Sequence, residues 1–422
     1  MKSLKNNISK KTIFYYSYIA FPLAMIVFPL YIYIPIYYEK SIGIDISLVG
    51  ILIFIARLTD VFTDPYIGYI SDKCIKYFDS RKPLMITGSF IIIYSFYQLL
   101  NPNIEYKEIY LLLYSILIYF GWSMINIPYL TWSCELSNNY HDKTNLNSYR
   151  EIFTILGIIF ALCIPYIYDI SSQPKKSLNI IFNYFIFIFI PLLTLTMFKI
   201  KINNQKIENS ILNIKTIITI YIKIKDLKYL HIGYFINNLA NAIPATIFLL
   251  FIDLIIDKKD LSGLVLIIYF LSGIIALPFW NILSKKTGKK NCWLISIILA
   301  SSAFIFVPFL DSNDIIAFII ISIISGFSLG IDMAIPTSIK SDIVQKYDKN
   351  ISGLLFGIWS MITKFALAFA IFLSFVILGS FDFNSTSPSS KSLIVLSLLY
   401  GLVPVILKIV SIYFINKYKE TI

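Results

Sequence analysis

Apolar residues run along this chain in long blocks, each ended by charges, proline or Asn/Ser clusters. The blocks lie at about 13–38, 46–70, 84–102, 108–133, 150–169, 178–198, 229–256, 261–283, 292–310, 314–339, 351–379 and 392–416. A bilayer core is crossed by about 20 consecutive apolar residues in a helix. Membrane strands would instead alternate over about ten residues. The pattern therefore predicts an all-α integral membrane protein with twelve transmembrane helices. The basic start, MKSLKNNISKKT, precedes an apolar run too long for a signal-peptide core and without a small-residue cleavage site. That run is expected to be retained as the first span.

Composition agrees with this pattern. Of 422 residues, 57% are hydrophobic and 14% charged, against about 45–50% and 25% in soluble domains. Mean hydropathy is +0.75. Soluble enzymes, disordered chains and nucleic-acid-binding domains are thereby excluded, despite a net charge of +12. That excess is a topology signal. With the N-terminus inside, the outer connections hold only Lys40, Lys107, Lys175, Lys176, Lys258, Lys259 and Lys391, and Arg57, Lys364 and Lys408 fall within spans. Every other Lys and Arg is then cytoplasmic, which is the orientation that loop charge dictates. The longest connection, rich in Lys and Ile, lies at mid-chain. It divides the chain into a six-helix bundle at 1–200, a cytoplasmic linker at 201–227 and a second bundle at 228–422. Cys74, Cys134, Cys163 and Cys292 have no paired spacing, and His141 and His231 are the only histidines. Neither a transition-metal site nor a disulfide framework is indicated, and no cofactor is expected.

Charges inside a bilayer cost about 2.5–3.5 kcal/mol each at mid-depth. The second span nevertheless carries Arg57, Asp60 and Asp64. At about 100° per residue, Asp60 lies about 60° and Asp64 about 20° from Arg57, so all three share one face. Their sum is one negative charge, which one monovalent cation would neutralise. Carboxylate oxygens suit Na⁺, and a carboxyl group can also carry H⁺. The alternative is an ion-pair lattice that only joins helices. Lys364, deep in the eleventh span, calls for an acidic partner, for which Asp60 and Asp64 are the first choices. Lys408 lies near the cytoplasmic end of the twelfth span and is expected to snorkel outward with no further role. Asp253 reads as interfacial, and Asp332, inside the tenth span, is a minor candidate.

Uncharged polar groups extend the set. The fourth span holds Trp122, Ser123 and Asn126 before Pro128 and Tyr129, and the seventh holds Asn237, Asn238 and Asn241. Amides in membranes join helices. Beside aromatic rings, they also suit a hydroxyl-rich ligand. Pro22, Pro29, Pro35, Pro165, Pro244, Pro278 and Pro336 predict bends.

Three segments carry a family likeness: IARLTDVFTDPYIGYISDK with DSRKPLMITG, INIPYLTWSCELS with HDKTNLNSYREIFTILG, and ITKFALA. In these the chain resembles the glycoside–pentoside–hexuronide:cation symporters of the major facilitator superfamily, the group that includes the melibiose permeases. The resemblance implies the major facilitator fold, two six-helix bundles. It also implies cation-site carboxylates at Asp60 and Asp64, with Ser123 standing where melibiose-type members have a cation-assisting Thr. Asn126 is counted with that site and with the substrate region. Lys364 stands on the family's lysine, and Arg57, Trp122, Arg150, Asn237 and Asn241 are assigned to substrate or coupling. Gly68, Asp72 and Arg81 match the loop motif of the gate. The chain departs where melibiose-type members hold sugar hydroxyls with two acids: Ala24 and Asn126 occupy those positions.

The reading is a secondary active transporter without enzymatic activity: Na⁺- or H⁺-coupled symport of a small polar solute, such as a sugar or glycoside, by alternating access. Its partners are that solute and the lipid bilayer. It is expected to work as a monomer in the cell (inner) membrane. A lysolipid carrier of the same superfamily is the alternative. A polytopic enzyme would need a nucleophile–base pair or metal cluster, and a sensor would carry an appended soluble domain. Cysteine-accessibility labelling on intact cells checks the topology: Lys206→Cys and Lys286→Cys are expected to resist an impermeant reagent, and labelling from outside at either position overturns the orientation.

Overall fold

A bilayer interior offers no water to backbone N–H and C=O groups, so a spanning apolar run must bond its own main chain as a helix. The computed structural model meets that requirement throughout the residues it describes, 8–137, 139–168, 173–200, 225–347, 351–381, 383 and 388–418. The first helices are α1 (Lys10–Ser17), α2 (Ala20–Lys40), α3 (Ile46–Phe78), α4 (Lys82–Leu100), α5 (Lys107–Glu135), α6 (Tyr140–Ile167) and α7 (Pro174–Lys199). They are followed by α8 (Lys225–Leu254), α9 (Ser262–Thr287), α10 (Lys289–Phe304), α11 (Ile315–Tyr347), α12 (Ser352–Ser380), α13 (Ser390–Tyr400) and α14 (Leu402–Lys417). Among the described residues, ten segments from Lys82 onward are long and apolar enough to cross a membrane. With α2 and α3 before them, they match the order of the apolar runs.

Two runs expected as single helices are broken, and proline explains both. Pro22 has no N–H for the carbonyl of Tyr18, where α1 ends, and Pro404 has none for Tyr400, where α13 ends. Gly401 at the second break lies against Pro308, whose Cδ would be 2.6 Å from an added Cβ. The helices run on through Pro165, Pro244, Pro278 and Pro336. α3 and α11 extend well past the apolar runs of 46–70 and 314–339, because polar residues beyond the bilayer continue the helix.

The chain divides into two compact units. Met1–Ser210 with Lys340–Met361 forms one, and Ile211–Ile339 with Ile362–Ile422 the other. Most of the expected linker, 201–224, lies outside the described residues. In the first unit, α4 packs on α5, α3 on α5, and α2 on α6 and α7. Small residues let these backbones meet: a Cβ on Gly88 would stand 2.8 Å from the Gly121 carbonyl oxygen, and one on Gly121 3.0 Å from that of Gly88. Helix ends find donors on neighbours. The Tyr37 and Tyr38 hydroxyls donate to the carbonyls of Leu100 and Leu99, both at 3.0 Å. Lys82 Nζ donates to Met197 and Ile200 carbonyls at 2.6 and 2.8 Å, closing the C-terminus of α7 with a positive charge.

The second unit repeats that device. Lys290 Nζ, at the start of α10, donates to the carbonyls of Asn416 and Tyr418 at the end of α14, at 2.8 and 2.7 Å. Its core packs α8 against α14 and α13, and α10 against α14. Phe251 stacks on Tyr400 with centroids 4.2 Å apart. α9 meets α11 through backbone contacts, with Gly330 against Gly273.

A polar clasp holds residues 340–361 in the first unit. Arg81, 1% exposed, donates to Asp72 Oδ1, Glu135 Oε1 and Ser352 Oγ at 2.8 Å and to Ser71 Oγ at 2.6 Å. The Asp72 carboxylate in turn accepts the N–H groups of Gly353 and Leu354, at 2.7 and 2.8 Å. It thereby caps the first turn of α12 with a negative charge. Burial pushes the Asp72 carboxyl up to about 6 against the pull of Arg81. Burial also works against the Arg81 charge, but Glu135 and Asp72 outweigh it and raise the guanidinium above its ordinary value. On α6, fully buried Lys143 grips the end of α11 by donating to the Ser341 carbonyl at 3.2 Å, Asp342 Oδ1 at 3.0 Å and Gln345 Oε1. Removing one partner of a buried ion pair leaves an uncompensated charge. Arg81→Gln is therefore expected to destabilise the detergent-solubilised protein by about 3–5 kcal/mol in denaturant unfolding; a change under about 0.5 kcal/mol would mean the clasp contributes no net stability.

Candidate membrane-embedded charge site

The acidic face of α3 is turned into the first unit. Asp60 is 3% exposed and Asp64 fully buried. Ser123 Oγ on α5 donates to Asp60 Oδ1 at 3.0 Å, a bond between groups both buried in the helix pair. Arg57 is half-buried, and its guanidinium carbon stands 4.4 Å above the Tyr119 ring of α5. A cation over an aromatic face is stabilised by the ring quadrupole. Two of the three charges expected on one helical face, Arg57 and Asp60, thus meet α5, and Ser123 joins them. Trp122 and Asn126 flank Ser123 on α5, both half-buried.

Asp64 is positioned by its main chain as well. α3 and α12 run antiparallel with their backbones touching. A Cβ added to Gly357 would lie 2.5 Å from the Asp64 carbonyl oxygen, and one on Gly353 2.5 Å from that of Gly68. The Gly353–Gly357 spacing of four and the Asp64–Gly68 spacing of four form one small-residue seam. Gly68, Asp72 and Arg81, grouped in the sequence as a gate motif, meet at this seam and its clasp.

Arg150 is buried on α6 and pairs with its neighbour Glu151. The Tyr16 and Tyr129 rings lie beside it, tilted by 38° with centroids 4.8 Å apart, and the Tyr129 hydroxyl donates to the Tyr16 carbonyl at 2.9 Å. Glu151 and Tyr16 were not singled out in the sequence. The charge of Glu151 at the edge of the fifth apolar run was the signal available.

The second unit holds its own charge cluster. Asp332 on α11 accepts from Trp293 Nε1 of α10 at 2.8 Å and from Asn241 Nδ2 of α8 at 3.1 Å. Lys408 Nζ of α14 lies 3.5 Å from Asp332 Oδ2 and donates to Asn237 Oδ1 at 3.2 Å. Lys408 is 3% exposed and Asp332 9%. The expectation that Lys408 snorkels is therefore corrected: its amine finds Asp332 and Asn237 inside the bundle, and inward pairing replaces solvation at the interface. Asn237 and Asn241 are both present in this cluster, with Asp332, Lys408 and Trp293 added to them. Asp253 is half-buried and pairs with exposed Lys259 at 2.9 Å, as an interfacial group would. Lys364, half-buried on α12, belongs to the second unit, whereas Asp60 and Asp64 belong to the first. No group of three or more His, Cys, Asp or Glu residues suited to a metal ion occurs among the described residues.

The chain is similar to known proteins over nearly its whole length. The symporter YnaJ of Bacillus subtilis (strain 168), itself uncharacterized, is 23% identical over 404 residues, covering 92% of this chain and 86% of that one. The sodium-dependent lysophosphatidylcholine symporter 1 of Gallus gallus is 21% identical over 431 residues, covering 88% and 79%. The crystal structure of FucP, a major facilitator superfamily transporter in the outward conformation, superposes with a TM-score of 0.74 at 13% identity over 97% of this chain and 99% of that one. The helical order, the two units and this fold likeness agree with a match to the family description MFS/sugar transport protein over residues 15–420. The chain belongs to the MFS/sugar transport protein family.

Proposed function

We propose that this protein is a cation-coupled symporter of a small polar solute, such as a sugar or glycoside, working by alternating access. The observation that carries the proposal is the Asp60–Ser123 bond beside buried Asp64, on a helical face where Arg57, Asp60 and Asp64 sum to one negative charge. One monovalent cation, Na⁺ or H⁺, neutralises that sum, and carboxylate oxygens are ligands suited to it. Asp60 and Asp64 supply the carboxylate oxygens, and Ser123 orients Asp60. In the first unit the solute and coupling residues are Arg57, Trp122, Asn126 and Arg150, and in the second they are Asn237, Asn241 and Lys364.

The family description supports a sugar-like solute. The bundles are 1–200 and 228–422, joined by a cytoplasmic linker, with both termini cytoplasmic in the cell (inner) membrane and the monomer as the working unit. A second reading, transport of a lysolipid or similar amphiphile, is favoured by the likeness to a lysophosphatidylcholine symporter along most of both chains.

A ligand that binds the native state raises stability by RT ln(1 + [L]/Kd), about 2.7 kcal/mol at a hundredfold excess over Kd. Purified protein is expected to gain thermal stability on adding Na⁺, or on acidification if H⁺ couples, and Asp60→Asn and Asp64→Asn are each expected to abolish that gain and coupled uptake. A screen with sugars and lysolipids then separates the two solute classes. An Asp64→Asn protein that responds to Na⁺ and pH like the wild type would defeat the cation site.

A further inference from the structure

The Asp332–Lys408 pair is a charge cluster that the proposed cation site does not use. Its polar atoms all turn toward helices of the second unit, and two of its bonds end on one helix, α8. Lys408 Nζ holds Asn237 Oδ1 at 3.2 Å, and Asp332 Oδ2 holds Asn241 Nδ2 at 3.1 Å. These amides stand one turn apart, so the pair grips α8 at two successive turns of one face. Trp293 Nε1 fixes the other oxygen of Asp332 at 2.8 Å, so the carboxylate cannot turn without breaking a second bond. A further bond, from Ser411 Oγ to the Gly233 carbonyl at 2.9 Å, lies one turn earlier on α8.

What α8 carries on the adjoining part of its surface is the link to α12. The Tyr234 hydroxyl and Thr363 Oγ1 are 2.9 Å apart, and the Phe235 ring stacks on Phe365 with centroids 5.8 Å apart. Thr363 and Phe365 are the two neighbours of Lys364. At about 100° per residue, Asn237, Asn241, Tyr234 and Asn238 fall within about 100° of helix surface. A rotation of α8 that loosened either amide would therefore also move Tyr234 off Thr363.

We propose that Asp332 and Lys408 are positioning residues: through Asn241 and Asn237 they fix the rotation of α8, and through Tyr234 they set where α12 presents Lys364. Each bond of this relay is internal to the second unit, and it holds for either solute class. The two charges of the pair are opposite, and each member has one bond to an amide of α8. A cluster serving stability alone would not need to end both amide bonds on one helix.

The test is disulfide formation between cysteines at 234 and 363 in the full-length protein in native membrane vesicles, under mild copper–phenanthroline oxidation, with the single-cysteine variants as controls. The Tyr234→Cys/Thr363→Cys protein is expected to cross-link readily. Adding Asn237→Ala and Asn241→Ala, which leaves the Asp332–Lys408 pair intact, is expected to slow cross-linking at least tenfold, and Lys408→Met is expected to do the same. The exchange Asp332→Lys/Lys408→Asp, which keeps an ion pair, is expected to restore the rate at least in part. If the asparagine double variant and Lys408→Met lower the melting temperature while cross-linking proceeds at the original rate, the cluster is structural only and the proposal is overturned. The asparagine double variant alone decides the matter if Lys408→Met fails to insert: an unchanged rate rejects the relay, and a tenfold loss supports it.

Discussion

The buried charges described within the spans answer to one constraint. A charge in the middle of a bilayer costs a few kcal/mol even on lenient scales, and the cost is met only by a partner held in fixed geometry. Helices long enough to cross the membrane are common; helices that carry such charges must be arranged around them. The positions of α3 against α5, of α12 against α3, and of α8 against α11 and α14 can all be read as solutions to this requirement.

The two units solve it differently. In the second, Lys408 brings an internal counter-charge to Asp332, and Asn237, Asn241 and Trp293 take up further hydrogen-bonding capacity. In the first, Asp60 accepts from Ser123, and half-buried Arg57 lies over the Tyr119 ring. One cluster draws its counter-charge from a distant helix of its own unit, and the other draws a hydroxyl and an aromatic face from the neighbouring helix. In both, removing one partner would leave a buried charge uncompensated, so each cluster constrains the helices that carry it.

Much of this was legible in the residues. The apolar runs carry the helices because length and continuity alone decide them, and the i, i+3 and i, i+4 spacing of Arg57, Asp60 and Asp64 places them on one face without any tertiary knowledge. The inward turn of Lys408 is not legible in the sequence, for a physical reason. Its depth permits either snorkelling or inward pairing, and the choice rests on Asn237 and Asp332, 171 and 76 residues away along the chain. The breaks at Tyr18 and Gly401 were legible only as proline positions, because a proline bends one helix and ends another according to its packing. The clasp at Arg81 was visible as a motif, but its partner Ser352 and the capped turn of α12 lie beyond any local pattern.

The seam between α3 and α12 gives Asp64 two separate attachments. Its carboxylate is on the acidic face, while its carbonyl oxygen lies against Gly357, where even one methyl group would collide. A contact of bare backbone has no side chain to rearrange, so it cannot absorb a shift of α3 by swapping rotamers; the two strips of main chain either abut or part. Whatever the carboxylate of Asp64 holds is thus borne by the same residue that sets the spacing of the two helices, and a displacement of a few tenths of an ångström at the one would be transmitted to the other without an intermediary.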